Sequence, residues 1–401
     1  MTLRVDSRIG PTERLITLAD GLPPIPERLL LAHAQGQVLF IAGAGVSMPA
    51  GLPSFRKLVV DVYERLDGAV FRAIKDTKRR ERADTAGLNY GQIAEVRRFE
   101  RLDYDVVLGM LERRVDNVPS RRSRVRAAIA DILRDPVRTP APIHKALMRL
   151  ADRGAGPTII TTNFDSLLQE SLPPKRRPQA YSLGEIPRPS RRDEFQGVMH
   201  LHGRLADDPS RLSEFVVTDQ DFGEFYMRRR GIPDFIYDAA RLFNLVLVGY
   251  SADDPPMRYL LNAVAADVNR FDDLKERFTF VGLDEPDPVV LEDWRGRGIE
   301  PISYDAVNKH QLLLDLLERW ADLSAINGDP KRVDSEIRRI VRTPRTSATE
   351  SDRDLFDHFF RRSTSAERAR FASIASKARA DISWIDTVLA IALEPEAGVS
   401  A

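Results

Sequence analysis

Two histidines near the end of one apolar segment are the first candidates for chemistry. His200 and His202 stand in the segment VMHLHG, and the chain has six histidines in all. Side chains two residues apart in a strand lie on the same face. Because imidazole titrates near neutrality, one of the two can take a proton from a hydroxyl or from water. We interpret the pair as the source of a general base, and the alternative is a buried structural histidine.

Two histidines on one face also suggest a metal ion. A metal site needs a third ligand, and no Asp or Glu stands at a typical ligand spacing from this pair. The chain has no cysteine, which excludes disulfides, a thiolate nucleophile, an iron–sulfur cluster and any zinc site built on Cys pairs. The sequence therefore predicts no bound metal and no zinc.

A second polar group follows the apolar segment TIITT at residues 158–162. Asn163 offers a donor and an acceptor, and Asp165 offers a negatively charged acceptor. Open α/β sheets bind their ligands at the carboxyl ends of the strands, so Thr162, Asn163 and Asp165 are candidate binding residues. The alternative is that Asn163 or Asp165 caps the helix that follows.

Glycines follow two further apolar segments. Gly43 and Gly45 come after QVLFIA at residues 37–42, and GLPSFR follows at residues 51–56. Glycine lets a backbone approach a pyrophosphate, and the next helix N-terminus presents free N–H groups to it. The dinucleotide fingerprint G-x-G-x-x-G is not met, because Met48 stands three residues after Gly45. A tight strand-to-helix turn is the alternative.

The other glycine, Gly249, ends the apolar segment LVLVG and precedes Tyr250 and Ser251. Gly249 and Ser251 suit contact with a ribose or a phosphate. Two acids follow at positions 253 and 254, directly before two prolines, so helix capping explains at least one of them. We favour Ser251 over either acid as a binding residue.

These candidates need a scaffold that brings strand ends together. Apolar segments at residues 37–42, 158–162, 198–201, 245–249 and 278–282 alternate with helical periodicity. This alternation predicts an α/β fold with a doubly wound, Rossmann-like parallel sheet. Helical periodicity over about residues 56–157 predicts an insertion, and the residues after about 328 predict a small C-terminal helical domain.

We therefore predict three parts: an N-terminal extension at 1–24, a catalytic domain at 25–327 and a helical domain at 328–401. Lys plus Arg and Asp plus Glu both total 60, which gives no general attraction to nucleic acid or anionic lipid. Local basic clusters favour a solvated surface over nucleic-acid contact. With no secretory leader and no apolar run of about 18 residues, we expect no membrane association and a cytoplasmic location.

The motifs GAGVSxxxGLPSFR, TTNFD, HLHG and GYSADD occur in the order, and at roughly the spacing, of the NAD-binding core of the sirtuin family. More closely, they resemble the bacterial sirtuin-like domains of anti-phage defence proteins. The segment FVVTDQDFGEFY at residues 215–226 is similar to the part that follows the H-G motif in that subgroup. The resemblance covers about residues 25 to 325.

The resemblance implies roles for individual residues. It places the NAD phosphates against Gly43, Ala44, Gly45 and Ser47. It places Phe55 and Arg56 on a flexible loop near nicotinamide, and it assigns the nicotinamide ribose to Asn163 and Asp165. His202, directly before the glycine, corresponds to the catalytic base, and His200 stands where sirtuins usually have a residue that does not titrate. Thr162, Gly249 and Ser251 complete the predicted cofactor-binding set.

The resemblance implies an NAD+ glycohydrolase, an NAD+ nucleosidase that takes NAD+ as its substrate and releases nicotinamide and ADP-ribose. It further implies anti-phage defence by NAD+ depletion, with activity gated by homo-oligomerisation or by a HerA-type DNA-translocating ATPase as partner. An NAD+- or ADP-ribose-binding regulatory module and a nuclease subunit are the alternatives. A lysine deacylase comes last, because the four-cysteine zinc module of protein-deacylating sirtuins is missing.

Overall fold

The structure is a computed structural model that describes residues 13–78, 81–116, 123–182, 184–191, 193–205, 209–250 and 274–392. The chain forms two compact units. One unit is Val38–Ser303, and the other combines Met1–Gln37 with Tyr304–Ala401. All the predicted site residues belong to Val38–Ser303.

Nine strands lie within the described residues: β1 (Leu15–Ile16), β2 (Ile25–Pro26), β3 (Val38–Ala42), β4 (Thr158–Thr161), β5 (Ala180–Tyr181), β6 (Gly197–His200), β7 (Asn244–Val248), β8 (Arg277–Leu283) and β9 (Glu300–Asp305). β1 and β2 form a small antiparallel pair. The other seven form one sheet in the order β5-β6-β4-β3-β7-β8-β9. The pairs β3–β4, β3–β7, β4–β6, β5–β6 and β7–β8 are parallel.

The strand order confirms the predicted doubly wound sheet. From β3 the chain proceeds to β4 and β6 on one side, and then returns to β7, β8 and β9 on the other. Taken from β6 to β9, the order is the Rossmann arrangement, with the direction of winding reversed between β3 and β7. Every residue of β3, β4, β6 and β7 is buried, as expected for strands covered by helices on both faces.

The predicted helical insertion between β3 and β4 is present. After the short helices Ala44–Ser47 and Met48–Ala50, its helices are Phe55–Leu66, Gly68–Ile74, Tyr90–Glu100, Tyr104–Asp116, Arg124–Arg134 and Pro142–Leu150. The first begins after Ser54, whose side chain accepts the N–H of Lys57. Apolar side chains from these helices form their own core, which also takes in Phe215 and Val217.

The rest of this unit supplies shorter helices around the sheet. They are Leu167–Glu170, Pro174–Arg176, Pro209–Glu214, Asp219–Phe222, the π-helix Gly223–Arg228, Gly231–Leu242 and Pro288–Arg295. The helix Gly231–Leu242 buries Ile236 and Ala239 against the sheet residues Leu245 and Leu247 in a second core. This packing leaves the loops at the carboxyl ends of the strands to form the site.

The described part of the other unit is helical apart from β1, β2 and the end of β9. Its helices are Glu27–Ala34, Val307–Asn327, Pro330–Ile340, Arg345–Ser347, Glu350–Arg362, Ser365–Lys377, Ile382–Trp384 and Ile385–Ala392. The backbone of Asn308, Lys309 and His310 is left-handed, which interrupts Val307–Asn327 near its start. No helix within the described residues is both long enough and apolar enough to cross a bilayer.

The observed division of the chain differs from the predicted boundaries at residues 24 and 328. Gly328 and Asp329 form a tight turn between two helices of the same unit, and Asp329 caps the second helix. The N-terminal residues belong to this unit too, because Arg319 donates to the carbonyl of Leu18 and Thr17 donates to Asp354. Gly328 and Asp329 therefore connect two helices of one unit.

Candidate functional site

The site begins where β3 and β7 end side by side. The N–H of Gly43 donates to the carbonyl of Val248 at 2.9 Å, and the N–H of Gly45 donates to the carbonyl of Gly249 at 2.9 Å. The two loops are therefore joined directly beyond the sheet. This is the position where the winding reverses, and ligands of open α/β folds bind there.

Three glycines make this junction sterically feasible. A Cβ on Gly43 would lie 2.7 Å from the ring of Tyr250, and a Cβ on Gly45 would lie 2.9 Å from the Cα of Gly249. Gly249 itself has φ of +76°, and a Cβ there would lie 2.6 Å from the N of Val46. Close packing of the two loops thus accounts for all three glycines, and phosphate binding by them stays a prediction.

Asn163 connects β4 to this junction. Its side-chain Nδ2 donates to the carbonyl of Gly43 at 2.9 Å and to Oγ of Ser47 at 3.0 Å. Its backbone N–H donates to Oγ1 of Thr161 at 3.0 Å. The side chain of Asn163 is thereby held in one orientation at the carboxyl edge of the sheet.

Ser47 is the centre of a buried polar cluster. Its hydroxyl donates to Oδ2 of Asp165 at 2.8 Å and lies 3.4 Å from Nε2 of His144. Nδ1 of His144 lies against the backbone of Ala141, whose N–H is 3.1 Å away, and Nε2 faces Ser47. Burial lowers the pKa of His144 to about 4. His144 is therefore neutral at neutral pH.

Asp165 lies beside Ser47 and also contacts the backbone. Its Oδ1 accepts the N–H of Leu167 at 3.0 Å, which is a capping contact at the start of Leu167–Glu170. Burial raises the pKa of Asp165, although the hydrogen bonds from Leu167 and Ser47 oppose the increase. The capping role and the proposed site role are thus compatible in the same carboxylate.

His200 has a structural environment. Its Nδ1 donates to the carbonyl of Asn163 at 2.9 Å, and its Nε2 lies 2.7 Å from the side-chain nitrogen of Gln169 and accepts its N–H. The residue is fully buried, and burial lowers its pKa to about 4. Both ring nitrogens are occupied, so His200 links β6 to β4 as a neutral residue.

His202 lies two residues beyond, in an aromatic environment. Its Nε2 is 2.7 Å from the hydroxyl of Tyr226, and the ring of Phe222 meets its ring edge-on at 5.6 Å between centroids. The residue is 1% exposed, and burial lowers its pKa to about 3. Gly203 follows with φ of +89°, where a Cβ would lie 2.6 Å from the carbonyl oxygen of Glu214.

Thr162 and Ala44 lie at the same edge of the sheet. Thr162 Oγ1 is 2.9 Å from the hydroxyl of Tyr250, which donates to the carbonyl of Ala42 at 3.1 Å. Ala44 is the first residue of the short helix Ala44–Ser47. Ser251, the remaining predicted binding residue of this edge, lies outside the described residues, as do Asp253 and Asp254.

Phe55 and Arg56 differ from the expectation of a flexible loop. They are the first two residues of the helix Phe55–Leu66. The Phe55 ring contacts Tyr104 at 6.1 Å, and the Arg56 guanidinium lies 4.8 Å from the centre of the Phe99 ring. Arg56 also donates to the carbonyl of Thr77. In this structure both residues are anchored in the helical insertion, because its core supplies their partners.

Sequence inspection missed four residues that contact the candidate site: His144, Gln169, Tyr226 and Tyr250. His144 follows Pro142 at the start of a helix, and Tyr226 lies in the π-helix. Tyr250 stands next to a motif glycine, which is the one signal that pointed to it. The others stand in helices whose periodicity predicts only packing. Among the described residues there is no cluster of three or more His, Asp or Glu arranged for a metal ion.

The fold and site define an α/β protein with a polar cluster at the switch point of a doubly wound sheet. Residues 157–302 match the family model of the SIR2-like domain. The chain is also 35% identical over 379 residues to the uncharacterised protein y4cA of Sinorhizobium fredii. That match covers 89% of this chain and 29% of y4cA, so the chain spans less than a third of this relative's length.

Two solved structures are similar to this chain at low sequence identity. One, described as the structural basis for the mechanism and regulation of Sir2 enzymes, is 15% identical with a TM-score of 0.36. The other is a complex of a mutant Sir2 homologue with ADP-ribose, 17% identical with a TM-score of 0.35. Each comparison covers 75% of this chain and 98% of the other chain.

Proposed function

We propose that the protein is an NAD+ glycohydrolase that releases nicotinamide and ADP-ribose. The observation that carries the proposal is the arrangement around Asn163, whose side chain is fixed by Gly43 and Ser47 beside the carboxylate of Asp165. Asn163 and Asp165 lie within residues 157–302, which match the SIR2-like domain.

In the proposed reaction the bond between C1′ of the ribose and the nicotinamide nitrogen breaks, and its electron pair leaves with nicotinamide. Positive charge develops on the ribose. We assign its stabilisation to Oδ1 of Asn163 and to Asp165, at about 3 kcal/mol each. Water then forms the new bond to C1′ and releases a proton to solvent. We assign to His202 the contact with a ribose hydroxyl or with the attacking water.

The proposed phosphate contacts are at the β3 turn. Gly43, Ala44, Gly45 and Ser47 form this turn next to Gly249. We place the pyrophosphate beside it, with Thr162 and Ser251 at the ribose edge. Phe55 and Arg56 would have to leave their contacts in the insertion to reach nicotinamide, so their assignment requires movement at the start of Phe55–Leu66.

The test is incubation of the purified chain with NAD+, followed by chromatography for nicotinamide and ADP-ribose. Parallel samples contain DNA and a candidate partner ATPase. Asn163→Ala is expected to lower nicotinamide release at least a hundredfold, because Oδ1 at the ribose is lost together with the two Nδ2 hydrogen bonds that orient it. The matched control is Asn244→Ala, which removes an equally polar side chain at the opposite end of β7. Full turnover by a folded Asn163→Ala protein would refute the assignment.

A second candidate is a module that binds NAD+ or ADP-ribose without turnover. One observation favours it: His202 is 1% exposed and is held by Tyr226 in this conformation. Calorimetry would then show NAD+ binding while no nicotinamide appears in any sample. Loss of binding in Asn163→Ala but not in Asn244→Ala would locate the ligand at the same site.

We further propose a role in bacterial anti-phage defence, in which the protein depletes NAD+ in the cytoplasm and is gated by homo-oligomerisation or by a HerA-type ATPase. Uncontrolled NAD+ cleavage would harm the host cell, so a gate is required. Co-purification with such an ATPase and a change in oligomeric state on activation would support gating. A divalent-ion-dependent DNA cleavage assay tests the alternative of a nuclease subunit.

A further inference from the structure

The hydroxyl of Tyr226 and Nε2 of His202 are 2.7 Å apart, and both residues are at least 94% buried. Phe222, one helical turn before Tyr226, meets the His202 ring edge-on at 5.6 Å, and Tyr226 meets it at 6.0 Å. The imidazole is therefore confined by two aromatic rings and one hydroxyl. Nothing in the segment's periodicity predicted this contact.

The segment before Tyr226 is held in place by hydrogen bonds. The chain from Phe215 passes alongside His202, whose carbonyl accepts the N–H of Val216 at 2.9 Å. Asp221 then accepts N–H groups of Val217 and Thr218 and pairs with the buried Arg126. The helix widens into the π-helix Gly223–Arg228, a local geometry often found at functional sites.

The direction of the hydrogen bond follows from acid–base chemistry. Burial lowers the pKa of His202 to about 3, and burial together with nearby Tyr250 raises the pKa of Tyr226 well above 10. Both groups are neutral at neutral pH. A neutral imidazole has one acceptor nitrogen and one N–H, and a phenol O–H is the more acidic of the two donors. The favoured bond is therefore from Tyr226 O–H to Nε2.

We propose that Tyr226 is a positioning residue that fixes His202 as the tautomer protonated at Nδ1, so that His202 meets its substrate as a neutral hydrogen-bond donor. This proposal rests on the proposed NAD+ reaction for the identity of the substrate. It replaces the general-base role expected from the sequence, because the nitrogen that could accept a proton is occupied by Tyr226. The donor at Nδ1 would orient a ribose hydroxyl rather than deprotonate it.

The tautomer can be observed directly by ¹⁵N NMR of the full chain labelled at histidine, since protonated and unprotonated ring nitrogens have distinct shifts. The His202 signals are identified by their loss in His202→Gln. We expect Nδ1 protonated and Nε2 unprotonated in the unaltered protein, and a mixture of tautomers in Tyr226→Phe. The matched control is Tyr63→Phe, which removes a buried hydroxyl bonded to Glu95 in the helical insertion.

Kinetics supply a second measurement. Tyr226→Phe is expected to lower kcat about tenfold with KM little changed, whereas Tyr63→Phe leaves both unchanged. Protonation of Nε2 in the unaltered protein, or an unchanged tautomer in Tyr226→Phe, would overturn the proposal. If the tautomer results hold but no sample releases nicotinamide, the positioning role stands and the proposed NAD+ cleavage fails.

Discussion

Asn163 joins the ends of β3 and β4, and it contacts residues from both. The side-chain amide donates to Gly43 and Ser47, and the backbone carbonyl of Asn163 accepts the Nδ1–H of His200. One asparagine thus determines the orientation of a serine and of a histidine on two neighbouring strands. A side-chain substitution at this position removes the contacts with Gly43 and Ser47 and keeps the backbone contact with His200.

Three buried histidines make the stability of the unit Val38–Ser303, here called the sheet unit, depend on pH. Burial lowers the pKa of His144 and His200 to about 4 and that of His202 to about 3, from an ordinary value of 6.5. Below pH 6.5 the unfolded chain binds protons that the folded unit does not. The free energy of unfolding should therefore fall as the pH is lowered from about 6.5 to 4, by up to about 1.4 kcal/mol per pH unit for each histidine. The raised pKa of Asp165 offsets part of this loss.

Fluorescence of Trp294 can report the unfolding of the sheet unit alone. The chain has three tryptophans, and Trp320 and Trp384 belong to the other unit, so both are replaced by Phe. Urea unfolding is then compared at neutral pH and near pH 5. His200→Gln should reduce the slope of stability against pH, because one titrating group is removed. A free energy of unfolding that is flat across this range would contradict the predicted neutral histidines.

At the scale of elements, the helical insertion is tied to the segment behind His202 by charged pairs. Arg126 is 8% exposed and contacts Glu112 at 3.0 Å, both oxygens of Asp221 at 2.8 Å and the carbonyl of Phe215. A second pair, Arg113 with Asp219, lies nearby and is partly exposed. The insertion therefore contacts the same segment that places Tyr226.

Arg126→Ala should destabilise the sheet unit by about 3–5 kcal/mol, because it leaves the buried carboxylate of Glu112 without this cation and removes the charged partner of Asp221. Arg113→Ala removes a pair whose side chains are 37% and 31% exposed, and it should cost about 1 kcal/mol or less. Urea unfolding of both variants, followed by Trp294 fluorescence, measures the difference. An equal loss in the free energy of unfolding of the two variants would show that the burial of Arg126 does not determine how much its ion pairs stabilise the unit.

At the scale of the whole molecule, the two ends of the chain fold together. Arg361 pairs with Glu27 at 3.1 Å, and Ser351 donates to Asp20 at 3.0 Å. The His33 ring meets Trp320 edge-on at 5.0 Å. The helices after residue 304 therefore depend on the N-terminal segment for part of their core.

Deletion of residues 1–37 should make the helices after residue 304 sensitive to protease. The deletion exposes apolar surface that Leu18, Ile25 and Leu29 bury in the intact chain, and it leaves Arg361 without Glu27. Limited proteolysis with mass spectrometry would locate the cleavage sites. The control is Glu27→Gln, which removes one charge but keeps the segment. Equal resistance in the deleted and intact chains would mean that the C-terminal helices form their own core.

Sequence patterns determined the fold class, because periodicity is a local property of the chain. The runs of buried apolar residues located β3, β4, β6, β7 and β8, and helical spacing located the insertion. The glycines and polar residues after these strands marked the edge where the site lies. The order of four motifs suggested the family resemblance, and the match to the SIR2-like domain over 157–302 supports it.

Only the tertiary structure decided which groups meet at that edge. Asn163 contacts Gly43 across 120 residues and Ser47 contacts Asp165 across 118, and such contacts depend on strand order. The structure also placed Arg56 in a helix and bonded Tyr226 to His202. No local pattern encodes these partners, because a side chain's hydrogen bonds and pKa depend on what distant segments bring to it.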